Sequence, residues 1–228
     1  MLPESGNLGD LTNRSRDLDA PALIDAADFS KPAVISHGQL DQRANAVARA
    51  LVAQGHAVGD RIAILAANST DYLVTYLGTM RAGMISVPVN WRFPKETIAY
   101  ILEDCDAKMV FVDAARRDAL PAGLTTIEFG KEFEAFLEPG NFEIVKCGRD
   151  DVAMFLYTSG STGRPKGVPL THYGHLWVIE MRSKGGDISS HRLLVAAPLY
   201  HMNALAIAKA AVLGHATVVL LPQFTAES

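Results

Sequence analysis

The chain has 228 residues, of which 21 are Lys or Arg and 25 are Asp or Glu, giving a formal net charge of −4. That balance argues against a nucleic-acid surface, which needs clustered cations against the phosphate backbone. With 49% hydrophobic and 20% charged residues, the composition is that of a globular protein long enough to bury one large core or two smaller ones.

The N-terminal MLPESGNLGD is polar and acidic and carries no apolar signal region. Residues 1–34 read as irregular, being rich in Pro, Asp and Asn. Ser36 and Gln39 have the spacing of a capping box, and Leu40, Ala44, Val47, Ala48 and Leu51 then share one helical face up to Gly55. Arg61 to Ala66 (RIAILA) reads as a buried strand. Ser69 or Thr70 can cap the next helix, which carries Leu73, Leu77 and Met80 on one side and stops at Gly83. Met84 to Val89 reads as a strand. Pro94 suits the first turn of a helix with Ile98, Ile101 and Leu102 inward, and Lys108 to Val112 as another strand.

Turn residues and charges cluster over 138–151 (EPGNFEIVKCGRDD). The alternation resumes with a strand at 152–158, a short strand at 167–170, a helix at 172–183, a strand at 193–196, a helix at 202–213 and a strand at 216–221. Such alternation predicts mainly parallel strands covered by helices. The expected organisation is a first layered α/β unit over 1–145 and the start of a second α/β unit over 146–228. Leu193 to Leu221 is the most apolar stretch, but Pro198, His201, Asn203, Lys209 and His215 interrupt it, so a buried strand–helix–strand is expected rather than a membrane span. Cys105 and Cys147 are far apart in sequence and form no C-x-x-C, which favours free thiols in a reducing compartment, the cytoplasm. The N-x-[ST] triplets at Asn13 and Asn68 are then read as chance matches.

The most informative segment is Leu156 to Val168, LYTSGSTGRPKGV. Its glycines let backbone approach a ligand, successive N–H groups in such a turn form an anion cradle, and Thr158, Ser159, Ser161 and Thr162 add hydroxyls. Arg164 and Lys166 are the only Lys, Arg, Asp or Glu side chains between Tyr157 and Val178. The spacing fits neither G-x-x-x-x-G-K-[ST] nor G-x-G-x-x-G. Pro169 prevents a helix from opening directly after the loop, so the loop is expected to join two strands. The absence of Walker spacing disfavours a kinase-type phosphotransferase, and no G-x-S-x-G supports a hydrolase serine.

YTSGSTGRPKGV resembles the phosphate-binding loop of the adenylate-forming enzymes: acyl-CoA synthetases, firefly-type luciferases and peptide-synthetase adenylation domains. Ile35–Leu40 running into Arg43-Ala44-Asn45 resembles the family's first core motif, and Met80–Met84 running to Pro88 its second. Pro198-Leu199-Tyr200-His201-Met202-Asn203 resembles its acyl-pocket segment. The resemblance implies a layered α/β/α fold, ATP, magnesium and coenzyme A as cofactors or co-substrates, and a carboxylic acid, fatty or aromatic, as substrate. It implies that Thr158, Ser159, Gly160, Ser161, Thr162, Gly163 and Lys166 hold the polyphosphate. Lys166 would supply the catalytic electrostatics, Thr158 would meet the magnesium ion, and Tyr200, His201 and Asn203 would line the acyl pocket.

The family's aromatic-Gly-x-Thr-Glu segment, its ribose-binding aspartate and the lysine of its mobile C-terminal domain find no match here. The expectation is therefore an N-terminal portion of an AMP-forming acid–CoA ligase, inactive by itself and open to self-association through unfinished sheet edges. The alternative is a non-catalytic α/β module that binds polyphosphate or a partner. His172 and His175, at i, i+3, read as surface residues, with His172 placed to cap or contact the loop, and Trp91, Arg92 and Phe93 as packing residues.

Overall fold

The computed structural model describes residues 2–158, 163–183 and 185–223. Its elements follow in order β1 (Pro21–Asp25), β2 (Ala33–Ser36), α1 (His37–Ala53), β3 (Arg61–Leu65), α2 (Thr70–Arg81), β4 (Ile85–Pro88), α3 (Lys95–Asp104) and β5 (Ala107–Val112). A 3-10 turn (Ala114–Ala119), β6 (Thr126–Glu128), α4 (Lys131–Phe136), β7 (Val152–Thr158), β8 (Lys166–Thr171), α5 (His172–Ser183), β9 (Arg192–Val195), α6 (Met202–Leu213) and β10 (Thr217–Leu220) complete it.

The strands form two sheets, one of order β2-β1-β10-β9 and one of order β6-β5-β3-β4-β7-β8. All pairings are parallel except β1 with β2 and β7 with β8. The layered, mainly parallel α/β architecture expected from the alternation is present. The division at residue 145 does not separate sheets. Strand β7 pairs with β4 through Ser86 and Met154, and β1 pairs with β10 through Leu23 and Val218, so each sheet takes strands from both sides of that point. The segment expected to be irregular holds β1 and β2. Both are short, β2 pairs only with β1, and β1 in turn pairs with β10 nearly the whole chain away, a pairing that no local periodicity records.

The large core lies between the sheets. Helix α2 packs on β3 and β4 of one sheet and on β1 of the other, while α6 packs on β9 and β10 and against α5. A smaller core of Ala63, Leu65, Val87, Ile98, Ile101, Leu102, Val110 and Val112 fills the space between the six-stranded sheet and α3. Ser36 caps α1 with the full reciprocal box to Gln39, and Ser69 caps α2 through the Tyr72 N–H. These caps satisfy backbone donors that would otherwise be left without partners at the helix starts.

The two motifs at 35–45 and 80–88 meet in space. The guanidinium of Arg81, on α2 and fully buried, donates to the Asp41 carboxylate at 2.6 Å, to the Asn45 amide oxygen at 2.6 Å, and to the carbonyls of Asp41 and Gly9, both at 2.8 Å. Arg14 adds two bonds to Asp41. Burial works to raise the Asp41 carboxyl, but the Arg81 and Arg14 charges prevail and hold it below its ordinary value. This network ties the N-terminal segment and α1 to α2, so these motifs build the frame of the molecule.

Candidate nucleotide and acyl site

In open parallel sheets ligands bind beyond the carboxyl ends of the strands. Here those ends of both sheets are drawn together by one side chain. Asn68, in the turn after β3, is 2% exposed. Its Nδ2 donates to the carbonyls of Ala197 and Leu221, which follow β9 and β10, each at 2.9 Å, and its Oδ1 accepts the Leu199 N–H at 2.7 Å. With its amide so engaged, Asn68 cannot accept a glycan in the folded chain. A ring contact repeats the tie: Trp91, after β4, meets the edge of Tyr200, after β9, at 6.2 Å. The Trp91 face carries the Arg116 guanidinium at 4.0 Å and that of Arg92 at 5.2 Å.

The loop expected to hold phosphate leaves β7 and returns as β8 in an antiparallel hairpin whose last pair is Thr158 with Lys166. It therefore joins two strands, as Pro169 led one to expect. Thr158, Gly163 and Lys166 are all exposed at its mouth. Ser159, Gly160, Ser161 and Thr162 lie outside the described residues. Gly163 has φ 89°, the left-handed region that favours glycine. A Cβ on Gly167 would stand 2.9 Å from the Tyr157 ring, so this position admits no side chain without displacing that ring. The hairpin base is anchored to α3: the Tyr157 hydroxyl donates to Asp104 at 2.6 Å, the Tyr100 hydroxyl donates to the same carboxylate at 3.2 Å, and Arg164 stacks over Tyr100 at 5.3 Å.

The three residues expected to line the acyl pocket have separate surroundings. Asn203 lines a cavity of about 470 Å³ between β8, α5 and α6, walled by Pro169, Leu170, Thr171, Gly174, His175, Val178, Met202 and Ala206. Tyr200 is buried against Trp91, and His201, exposed, packs its ring 4.6 Å from Tyr200. Neither belongs to the wall of that cavity. A second cavity of about 490 Å³ opens beside them, lined by Trp91, Arg92, Ala196, Ala197, Pro198, Pro222 and Gln223. Trp91 and Arg92 thus combine packing with a place on a cavity wall.

His172 and His175 are not surface residues. Both are buried. His172 Nδ1 accepts the Leu8 N–H at 2.9 Å, so it braces the N-terminal segment and has no described contact with the loop. His175 Nδ1 lies 3.0 Å from the Lys209 ammonium, which also reaches the Tyr76 hydroxyl at 3.3 Å. Burial lowers His172 to about 4. Burial and the adjacent Lys209 lower His175 to about 3, and burial brings Lys209 down to about 7. The i, i+3 spacing was visible in the sequence. Its direction was not, because α5 is apolar on more than one face. Met202 and Ala206, at i, i+4, share a face of α6, and Asn203 lies three residues before Ala206. Asn68 stood out only through its N-x-[ST] triplet, which carries no sign of this role.

Comparison with known proteins agrees with this architecture. Residues 12–228 match the AMP-binding enzyme family. The chain is 31% identical over 229 residues to a long-chain-fatty-acid–CoA ligase, FadD13, of Mycobacterium tuberculosis, covering 93% of this chain and 45% of that protein. It is 36% identical over 176 residues to a feruloyl-CoA synthase of an Amycolatopsis species, covering 75% of this chain and 35% of the relative. Among solved structures it resembles the N-terminal domain of FACL13 from Mycobacterium tuberculosis, with TM-score 0.86, 28% identity, and coverage of 97% of this chain and 58% of that one. It also resembles ATP-bound MatB from Rhodopseudomonas palustris, with TM-score 0.83, 31% identity, and coverage of 99% and 46%. The chain belongs to the AMP-binding, adenylate-forming enzymes, whose members here include acyl-CoA ligases and peptide-synthetase modules. It spans about half the length of the curated long-chain ligase it matches.

Proposed function

We propose that this chain is the N-terminal portion of an AMP-forming acid–CoA ligase. The whole enzyme would activate a carboxylic acid, fatty or aromatic, with ATP and pass the acyl group to coenzyme A. The observation that carries this reading is the hairpin from Tyr157 to Val168, with its glycines, hydroxyls and Lys166, in a chain of the AMP-binding family. The substrate classes are those named for relatives, a long-chain fatty acid and ferulate.

In the first step a carboxylate oxygen attacks the α-phosphorus, the bond to the β-phosphate oxygen breaks, and pyrophosphate leaves. In the second, a thiolate attacks the acyl carbon and AMP leaves. The chain's work here is positioning and neutralisation of charge. Lys166 and the backbone of 159–163 would hold the leaving β- and γ-phosphates, and Thr158 would offer an oxygen to magnesium. One protein oxygen beside phosphate oxygens is a usual setting for that ion, and no cluster of three or more His, Cys, Asp or Glu competes for it among the described residues. Asn203 and the cavity beside it would take the acyl group, while Tyr200 and His201 would border its approach.

By itself the 228-residue chain would not turn over, and its reducing setting would be the cytoplasm. Among the described residues no helix is long and apolar enough to cross a membrane. The test is carboxylate-dependent ATP–pyrophosphate exchange. The isolated chain should show none, and a longer form carrying the remainder of the family's length should show exchange with a fatty or aromatic acid. Exchange by the isolated chain would refute its incompetence. Nucleotide hydrolysis by the longer form with no carboxylate requirement would refute the ligase reading.

A further inference from the structure

Met202, Ala206 and Lys209 fall at i, i+4 and i+7, one face of α6. Met202 and Ala206 wall the cavity that also receives Asn203. Lys209 continues that stripe inward and is 1% exposed. Between it and the cavity stands His175, which lines the cavity while its Nδ1 receives the Lys209 ammonium at 3.0 Å. With Nδ1 accepting, the ring carries its proton on Nε2. No hydrogen bond engages Nε2 among the described residues.

Tyr76 and His175 are the polar groups around the ammonium. Neither is an anion, and no acidic side chain pairs with Lys209 among the described residues. A buried cation without a counter-charge is costly. Of the remaining walls, Pro169, Leu170, Val178, Met202 and Ala206 are apolar, Thr171 and Asn203 are polar, and none carries a charge.

We infer that His175, backed by Lys209, forms the polar floor of the acyl cavity and selects a carboxylic acid bearing a second carboxylate at its far end. This rests on the acyl reading of the cavity given above and narrows its substrate class. The second carboxylate would accept the His175 Nε2–H and supply the counter-charge that Lys209 lacks. A purely apolar acid would leave the His175 Nε2–H without an acceptor and Lys209 without a counter-charge. Because burial brings Lys209 down to about 7 in the unliganded chain, an arriving anion would restore its proton.

The experiment is calorimetric titration of the 228-residue chain with octanedioate and with octanoate at pH 8, in two buffers of different ionisation enthalpy. Octanedioate should bind about ten- to a hundredfold more tightly, the range for a hydrogen bond to a charged group, and with uptake of a proton. In Lys209→Met that preference should collapse to about twofold or less and the proton uptake should vanish. Circular dichroism verifies the fold, and His175→Leu, read the same way, serves if Lys209→Met does not fold. Octanoate binding as tightly as octanedioate, or a preference that survives in the variants, would overturn the inference and leave the acyl cavity standing. Binding of neither acid would overturn the acyl cavity itself and this inference with it.

Discussion

Replacing Asn68 with alanine tests how the site is held together. The amide makes three hydrogen bonds of 2.7–2.9 Å with 2% exposure, all to backbone of segments that follow β9 and β10. Each is worth about 0.5–1.5 kcal/mol net, and buried groups left without partners cost about 1–3 kcal/mol each unless water reaches them. With some relaxation in a loop region, Asn68→Ala should lower unfolding free energy by about 3–5 kcal/mol. For a chain of this size that corresponds to a midpoint lower by roughly 8–15 °C. Asn68→Asp keeps the acceptor for the Leu199 N–H but turns an anion toward two carbonyls, so it should be no milder than alanine. Urea denaturation followed by far-ultraviolet circular dichroism measures both. A loss below about 1 kcal/mol in Asn68→Ala would refute the claim that this side chain joins the two sheets.

Arg81→Met removes the partner of a buried carboxylate and of three further acceptors, so it should cost about 3–5 kcal/mol in the same assay; a neutral effect would mean that water reaches the pocket. Lys166→Ala, at an exposed position, should leave stability within about 0.5 kcal/mol and weaken binding of magnesium ATP about tenfold or more, as read by fluorescence or calorimetric titration; equal affinity would remove Lys166 from the phosphate site. His172 and His175 have folded values of about 4 and about 3, below the ordinary 6.5. The unfolded chain therefore binds more protons between pH 6.5 and 4, and stability should fall as pH drops through that window, by at most about 1.4 kcal/mol per pH unit for each group. A His172→Asn, His175→Leu double variant should show a shallower slope between pH 6.5 and 4, and an unchanged slope would contradict the burial of these rings.

What was legible in the sequence followed from local chemistry. The capping box at Ser36 and Gln39, the stops at Gly55 and Gly83 and the strand–loop–strand around Gly163 all rest on residues close in sequence. What escaped depends on partners far away. Strand β1 exists because Leu23 lies beside Val218, and Asn68 matters because the chain returns to it at Ala197 and Leu221. Helix α4 is only six residues, Lys131–Phe136, and holds its place because Phe133 and Phe136 pack edge-on against Phe111. The orientation of His172 and His175 was open because polar residues on a mainly apolar helix carry no sign of which neighbour will meet them. For the candidate site, the sequence grouped Tyr200, His201 and Asn203 together, whereas the fold gives them separate surroundings. The start of α6 sends Asn203 toward the cavity while Tyr200 turns back to Trp91.

The central claim is that the turn between β7 and β8 receives the triphosphate of a nucleotide. Titrating the isotopically labelled chain with magnesium ATP while recording amide resonances tests it most directly. The account predicts shifts concentrated between Thr158 and Gly167, abolished by Lys166→Ala in a chain that otherwise keeps its spectrum. Saturable shifts elsewhere with that turn unmoved would contradict it.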